Sequence, residues 1–165
     1  MTLTIEPAAL SEKSVLRRLL ELYLYDFSEF SGTDLDDHGL YGYRYLDHYW
    51  TEPERLPFLF RVDGRLAGFA LVRRDAGSAA APHDLDMSEF FVLRRYRRAG
   101  IGRQAAQALF ARLPGRWQVR QTAENVAAQV FWRRVIAEYT GGRFSESVWD
   151  DDGERGPLQT FVSGA

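Results

Sequence analysis

Two closely spaced glycines, Gly100 and Gly102, follow a run of arginines and precede an alanine-rich segment. Glycine lets the backbone approach a ligand without hindrance from a Cβ atom. The first turn of a helix offers unpaired N–H groups and the positive end of the helix dipole, where phosphates bind readily. Guanidinium groups also suit phosphate oxygens, and five lie within ten residues: Arg94, Arg95, Arg97, Arg98 and Arg103. The segment predicts a site for a phosphate-bearing ligand.

The glycine spacing has to be distinguished from two nucleotide-binding motifs. No Gly-Lys-Ser/Thr follows, so the segment is not a P-loop. Residues 100–105 do fit the dinucleotide fingerprint G-x-G-x-x-A. In that fingerprint the first glycine directly follows an apolar strand, whereas five residues, four of them arginine, separate Leu93 from Ala99 here. The dinucleotide interpretation is therefore disfavoured.

The elements around the glycine turn follow from hydrophobic spacing and from breaker residues. Strands are predicted at 2–6, 58–62, 65–73, 84–93, 117–122, 144–149 and 158–162, and helices at 16–30, 101–113 and 126–140. Residues 75–82 are small and read as a loop. The two strands around the middle helix are expected to form a right-handed parallel βαβ crossover.

Several local features refine these elements. Ser11 or Ser14 is expected to cap the first helix, and Asn125 the last. Asp63-Gly64 is a strong hairpin signal, and Gly68 inside the following strand suggests a bulge or a close approach. Four residues are expected to form the buried face of the last helix: Val126, Val130, Val135 and Tyr139.

Two segments in the right order resemble the motifs of one protein family. Residues 97–102 match the pattern Arg/Gln-x-x-Gly-x-Gly/Ala, which is the acetyl-CoA signature of the GNAT superfamily of N-acetyltransferases. Asn125, Ala128, Phe131 and Trp132 resemble the family's Asn-x-x-Ala-x-x-Phe-Tyr helix, although Trp132 stands where the family usually has tyrosine. On these motifs the chain is identified as a member of that superfamily.

The resemblance implies an architecture as well as an activity. The expected fold is α/β (α+β), a three-layer arrangement with a mixed central sheet of about six to seven strands and helices on both faces. Two parallel strands are expected to splay apart and to hold the cofactor between them. The motifs cover residues 87–144, and residues 1–165 are expected to form a single N-acetyltransferase domain.

The resemblance also implies acetyl-CoA (CoA) as the cofactor. N–H groups of residues 98–103 would hold its pyrophosphate, whereas the side chain of Arg97 could be structural. Backbone from Phe91 to Leu93 would pair with the pantetheine arm, and an N–H there would polarise the thioester carbonyl. Asn125 would line the arm or would only cap its helix. The implied cofactor-binding residues are Phe91, Val92, Leu93, Arg97, Arg98, Ala99, Gly100, Ile101, Gly102, Arg103, Asn125, Ala128, Phe131 and Trp132.

Glu89 and Trp132 are the expected catalytic residues. A partly buried carboxylate on the central strand would have a raised pKa and could take the amine proton. The alternative is that Glu89 forms a cross-strand ion pair. Weaker candidates for the base are Asp86, His83, Glu29 and Asp26. Trp132 would lie at the pantetheine end, or it would be a core aromatic without a role in the reaction.

Composition narrows the remaining possibilities. The chain has 165 residues, a net charge of −2 and no cysteine, so disulfides, thiolate metal sites and a Cys nucleophile are excluded. The three histidines show no metal-ligand spacing, and no metal is expected. Neither nucleic-acid nor membrane binding is implied, and a cytoplasmic protein is expected. The sequence is compatible with a homodimer.

An acidic and aromatic region precedes the central strands. Seven acidic residues stand against one arginine between Glu21 and Trp50. Carboxylates and aromatic faces both attract cations, so the expected acceptor is a primary amine of a small cationic molecule. It would attack the thioester directly in a ternary complex. The region could instead be solvated surface. Two other functions stay open: acetylation of a protein N-terminus or lysine, and acyl-CoA binding without turnover.

Overall fold

A seven-stranded mixed sheet runs through the part of the chain described by the computed structural model, residues 1–75 and 83–164. Its strands are β1 (Leu3–Pro7), β2 (Arg55–Val62), β3 (Arg65–Arg74), β4 (Leu85–Val92), β5 (Gly115–Arg120), β6 (Ser145–Asp151) and β7 (Glu154–Ser163). The helices are α1 (Lys13–Ser31), α2 (Ile101–Arg112) and α3 (Val126–Thr140). Apart from Asp75, the predicted loop at 75–82 lies outside the described residues.

The strand order in the sheet is β1-β2-β3-β4-β5-β7-β6. Helix α1 packs on one face, where Leu16, Leu19 and Leu20 are buried with Phe91. Helices α2 and α3 pack on the other face around Phe110 and Trp117. Burial on both faces explains why the central strands are nearly continuous apolar runs. The predicted three-layer mixed sheet is confirmed.

The hairpin of β2 and β3 is built as its turn residues predict. Asp63 and Gly64 both have positive φ, 51° and 79°, as a two-residue type I′ turn requires. Gly68 is needed because a Cβ there would lie 2.0 Å from the carbonyl oxygen of Phe91 on β4. The predicted close approach at Gly68 is therefore confirmed.

The N-terminus of α1 differs from the prediction. Neither Ser11 nor Ser14 caps the helix; a 3₁₀ turn at Leu10–Glu12 leads directly into it. The carboxylate of Glu12 accepts the backbone N–H of Ala9 at 3.0 Å and binds Arg61 of β2. Helix α1 therefore begins without a side-chain cap, and the Glu12 carboxylate instead closes the 3₁₀ turn that precedes it.

The buried face of α3 also differs from the prediction. Val126 and Val130 are about three-fifths exposed, at 62% and 61%. Val135 is buried as predicted and Tyr139 packs partly buried against the core, and Trp132 and Ile136 complete the buried stripe. Valines four residues apart fit helical periodicity on any side of a helix, so spacing alone did not identify the side that faces the sheet.

Strands β4 and β5 form the only parallel pair among the described strands, and they separate quickly. They pair only at Leu85↔Trp117 and Asp86↔Gln118. Beyond these pairs the two strands diverge, so the edge of β4 from residue 87 to 92 has no strand beside it on that side. The expected splaying of the parallel strands is confirmed.

Candidate active site

The open edge of β4 offers backbone donors to a ligand. The N–H of Leu93 donates to Ala67 O on β3 at 2.8 Å. Backbone groups alternate sides along a strand, so the N–H groups of Phe90 and Val92 point away from β3, into the opening beside β5. Those of Phe91 and Leu93 point towards β3. Of the three residues expected to pair with pantetheine, only Val92 therefore turns its N–H to the opening, and Phe90 joins it.

The start of α2 carries a row of unpaired N–H groups. Gly100 precedes the helix with φ 78°, and the first helical hydrogen bond runs from Gln104 N–H to Gly100 O at 3.0 Å. Arg98 also has positive φ, 63°. No described group accepts a hydrogen bond from the N–H groups of residues 98–103. Unpaired N–H groups at the positive end of a helix dipole are donors of the kind that bind phosphates in proteins.

Gly102 allows close packing of α2 against α3. A Cβ at this position would lie 3.3 Å from the ring of Phe131 and 3.6 Å from Cγ2 of Val92. The ring of Phe131 in turn packs against Phe90, with ring centroids 6.0 Å apart. Gly102 thus allows the N-terminus of α2 to lie close to Phe131 and to Val92 of the open edge of β4.

The arginines of the turn mostly hold the protein together. Arg97 donates from Nε to Val92 O at 2.8 Å and pairs with Asp26 of α1 at 2.7 Å. Arg94 pairs with the same carboxylate at 2.5 Å. Partial burial raises the pKa of Asp26, but the hydrogen bonds from these two arginines outweigh it and hold the pKa below its usual range. Arg103 binds Glu138 of α3.

These contacts bear on two sequence-based candidates. The guanidinium of Arg97 is occupied by protein groups, which supports the structural role considered for it. Asp26 is an ion-paired carboxylate that stays ionised, so it has little affinity for a proton near neutral pH. The guanidinium groups of Arg94 and Arg103 are likewise engaged by carboxylates of the protein.

Glu89 lies on the α1 side of β4 because the strand contains a bulge. Leu71 pairs with Glu89, whereas Val72 pairs with Met87, so Ser88 has no partner. Met87 faces the α2 and α3 side, and without the bulge Glu89 would face that side as well. The extra residue turns Glu89 to the other side of the sheet. Among the described residues Glu89 has no ion-pair partner, so the alternative of a cross-strand ion pair does not apply.

Two tyrosines surround the Glu89 carboxylate. The hydroxyl of Tyr43 donates to Oε1 of Glu89 at 3.4 Å, and Tyr23 of α1 also reaches this carboxylate. Burial raises the pKa of Glu89 to about 7, the hydroxyls of Tyr23 and Tyr43 oppose the rise, and the charge of Asp86 adds to it. Burial also raises the pKa of both tyrosines, and Glu89 adds to that rise. Near pH 7 Glu89 can therefore exchange a proton, while the tyrosines remain donors.

The other candidate bases are less suitable. Asp86 is buried and accepts hydrogen bonds from Ser88 at 2.7 Å and Gln118 at 3.2 Å, with Arg73 at 3.7 Å. Glu29 is exposed on α1. His83 is buried and lies 3.9 Å from Asp75. Glu89 alone among the candidates combines a raised pKa with a position beside the opening.

Trp132 is a buried aromatic between α3 and the sheet. It is 7% exposed, and its ring meets Phe90 edge-on at 5.0 Å and Phe131 at 4.9 Å. Because Phe90 belongs to the open edge of β4, Trp132 packs against the wall of the opening. Asn125 caps α3, its Oδ1 accepting the N–H of Ala128 at 3.1 Å, and this confirms the predicted cap.

The sequence did not reveal that Tyr23 and Tyr43 bind Glu89. It also gave only the charge of the acidic region and not the partners of its carboxylates. Tyr23 fits the apolar stripe of α1, so its hydroxyl gave no separate signal. Four of the seven carboxylates are used locally. Glu21 binds the N–H groups of Tyr41 and Gly42, Asp36 binds those of its own turn, Asp47 pairs with Lys13, and Asp26 pairs with the arginines described above.

Solved structures with this arrangement are acetyltransferases. An acetyltransferase from Thermus thermophilus has a TM-score of 0.72 at 20% identity, covering 98% of this chain and 97% of that one. A GNAT-family acetyltransferase from Streptococcus agalactiae has a TM-score of 0.71 at 15% identity, covering 99% and 96%. The ribosomal-protein-S18-alanine N-acetyltransferase from Escherichia coli has a TM-score of 0.59 at 17% identity, covering 99% and 96%. The chain thus shares its fold with these three proteins.

A family comparison makes the assignment more specific. The sequence model of the Acetyltransferase (GNAT) family matches residues 16–136, and the chain belongs to this family. A comparison with curated proteins found no significant match. Within the described residues, no helix combines the length and the apolar character that a membrane span requires.

Proposed function

We propose that this chain is an N-acetyltransferase that moves the acetyl group of acetyl-CoA to a primary amine of a small molecule by direct attack in a ternary complex. The observation that carries the proposal is Glu89, a carboxylate with a pKa raised to about 7 beside the open edge of β4. A general base works best when its pKa lies near the working pH. Asp26, by contrast, is ion-paired with Arg94 and Arg97, and its pKa is lowered.

The residues around the opening fit the cofactor. The unpaired N–H groups of residues 98–103 would hold the pyrophosphate, and those of Phe90 and Val92 would hold the pantetheine arm. Gly102 leaves the helix terminus close enough to Phe131 for the two positions to join. When bound, acetyl-CoA supplies an acetyl group activated as a thioester. The N–H of Phe90 or Val92 would polarise its carbonyl oxygen.

The group that would accept the proton of the amine, Glu89, lies on the α1 side of β4. Glu89 would accept it directly or through a water molecule, and the hydroxyl of Tyr43 holds the carboxylate in place. An alkyl thiol has a pKa of about 8.5, so its thiolate is a tolerable leaving group near neutral pH. The indole of Trp132 can donate a hydrogen bond but no proton, and it is assigned to packing against the arm.

Two competing functions are kept as outcomes of the test. The cationic acceptor expected from the sequence stays a prediction that competes with the carboxylate-bearing acceptor inferred below, and four of the seven carboxylates behind it are engaged by protein groups. Acetylation of a protein is the alternative suggested by the structure from Escherichia coli, which is that of a ribosomal-protein-S18-alanine N-acetyltransferase. Acyl-CoA binding without turnover is favoured by one feature only, the tryptophan at the position of the family's tyrosine.

An assay of free-thiol release, with and without a panel of amines, tests the proposal. Amine-dependent release by the wild-type chain, lost in Glu89→Gln, is the expected result. The exposed acid Glu29 supplies the matched control, because Glu29→Gln removes a charge from the same side of the molecule without touching β4. Binding of CoA by calorimetry without release by any amine or peptide would show a binding protein instead.

A further inference from the structure

A positively charged side chain lies on the same side of the sheet as Glu89. Arg120 ends β5, two residues after Gln118, whose side chain reaches Asp86 on the α1 side of the sheet at 3.2 Å. Residues two apart on a strand share a face. Arg120 therefore points to the side of Glu89, at the place where β4 and β5 have diverged. Its charge also lowers the pKa of Glu89, against the larger effect of burial.

Arg120 is held by an aromatic ring and not by a carboxylate. Its guanidinium carbon lies 4.8 Å from the ring centroid of Trp149 on β6. Trp149 is itself fixed, since its indole N–H donates to Gln121 O at 2.7 Å. Within the described residues no acidic side chain lies within ion-pair distance of Arg120. Stacking orients the guanidinium and leaves its N–H donors exposed.

Three other arginines on this part of the molecule are each paired with a carboxylate. Arg116, on the same strand and face, lies 3.6 Å from Asp84, and Arg73 lies 3.7 Å from Asp86. Arg55 pairs with Glu52 at 2.5 Å. A stacked guanidinium without a carboxylate partner, on the same side of the sheet as Glu89, has the features of a receptor for an anionic group of a ligand.

We propose that Arg120, oriented by Trp149, binds a carboxylate of the acceptor. The substrate class is then amines that also carry a carboxylate, such as free amino acids. The inference rests on the proposed function, because it assigns the acceptor of the same site. A carboxylate fits better than a phosphate, since one guanidinium balances one negative charge and Glu89 repels a second.

Matched acceptors that differ only in this charge test the inference. The common α-amino acids, β-alanine and 4-aminobutyrate would each be compared with the corresponding amide, with kcat/KM as the readout. The amide loses the hydrogen bond between two charged groups, so the best carboxylate should exceed its amide about tenfold in kcat/KM, which corresponds to about 1.4 kcal/mol. Arg120→Ala should abolish the preference, and Arg120→Lys should keep part of it.

Two controls separate this inference from the proposed function. Arg116→Ala removes a charge from the same face of β5 and should leave the preference unchanged. Calorimetry with N-acetyl amino acids and their amides, in the presence of CoA, reports carboxylate binding without any turnover. Equal or stronger use and binding of the amides would overturn the inference while leaving the enzyme intact. Selective carboxylate binding that needs Arg120, without turnover of any amine, would support the inference and reject the proposed function.

Discussion

The hydroxyl of Tyr43 donates a hydrogen bond to Oε1 of Glu89 across 3.4 Å. This bond joins the segment that follows α1 to the bulge of the central strand. It also opposes the effect of burial on the carboxylate, because a hydrogen bond to the ionised form favours that form. The position and the acidity of Glu89 therefore depend on residues that are distant in sequence.

Glu89→Gln should lower turnover by at least about tenfold while the affinity for CoA is unchanged. In the wild type, kcat/KM should rise with pH through an apparent pKa near 7, because only the ionised carboxylate accepts a proton. The variant should lose this dependence. A rate and a pH profile that match the wild type would place the base elsewhere.

Tyr43→Phe should move the same pH dependence to higher pH. The hydroxyl favours the ionised form of Glu89, so its removal leaves burial less opposed and raises the carboxyl pKa further. Steady-state rates between pH 6 and pH 9, compared with those of Tyr45→Phe, measure the shift. Tyr45 is exposed and lies on the same segment, which makes it a fair control. A shift to lower pH would contradict the assigned hydrogen bond.

Glu89 should make the folded protein less stable as pH rises, whereas an ion-paired acid makes it more stable. The pKa of Glu89 is raised in the folded state, so its favourable contribution is complete below about pH 4.5 and is lost as pH rises through about 7. Glu89→Gln avoids that loss. Urea unfolding should show the variant gaining about 1–3 kcal/mol over the wild type between pH 5 and pH 8. A constant difference would mean that burial does not perturb the carboxyl.

Gly100→Asp and Gly102→Asp should abolish cofactor binding, which is expected at a micromolar dissociation constant, about −8 kcal/mol. Each change places a carboxylate where the phosphate is expected, and the second also presses a Cβ against Phe131. Gly32→Asp is a suitable control for Gly100→Asp, since the φ of Gly32, 67°, is similar to the 78° of Gly100 and a Cβ at Gly32 would meet nothing within 4 Å. Calorimetry on folded variants gives the answer. Retained affinity in both would remove the phosphate site from α2.

Trp132→Tyr should be active, and Trp132→Phe should affect the rate less than Glu89→Gln does. The ring packs on Phe90 and Phe131, so an aromatic replacement keeps the wall of the opening in place. Trp132→Ala should cost about 3–5 kcal/mol in unfolding free energy, because it leaves a cavity in the core. Activity that appears only in Trp132→Tyr would identify the wild type as a binding protein.

Local patterns predicted the parts of the fold that depend on a few adjacent residues. Asp63-Gly64 and Gly68 specified the hairpin, because positive φ and close approach restrict the residue type at a single position. The chemistry of Glu89 was less accessible. Its residue type and its strand could be read from the sequence, but its side of the sheet depends on the bulge at Ser88, which no glycine or proline marks.

Features that combine distant segments could not be predicted. Arg120 and Trp149 meet because β6 and β7 fold back against β5, and nothing in either local sequence requires the contact. For the acidic region, the sequence suggested more free negative charge than the structure has. A count of carboxylates takes no account of the backbone and side-chain partners that most of them bind. Composition reports charge, whereas the free energy of a charge depends on its neighbours.

The contact between Arg97 and Val92 has a consequence for solubility. Strand β4 lies in the middle of the sheet, yet its divergence from β5 gives it the open hydrogen-bonding edge of an outermost strand. Such edges recruit strands from other molecules and start aggregation, and natural sheets block them with charged side chains. By occupying Val92 O, the Arg97 guanidinium places a charge on that edge. The same arginine therefore protects the apoprotein from strand exchange while leaving the neighbouring N–H groups accessible to a ligand.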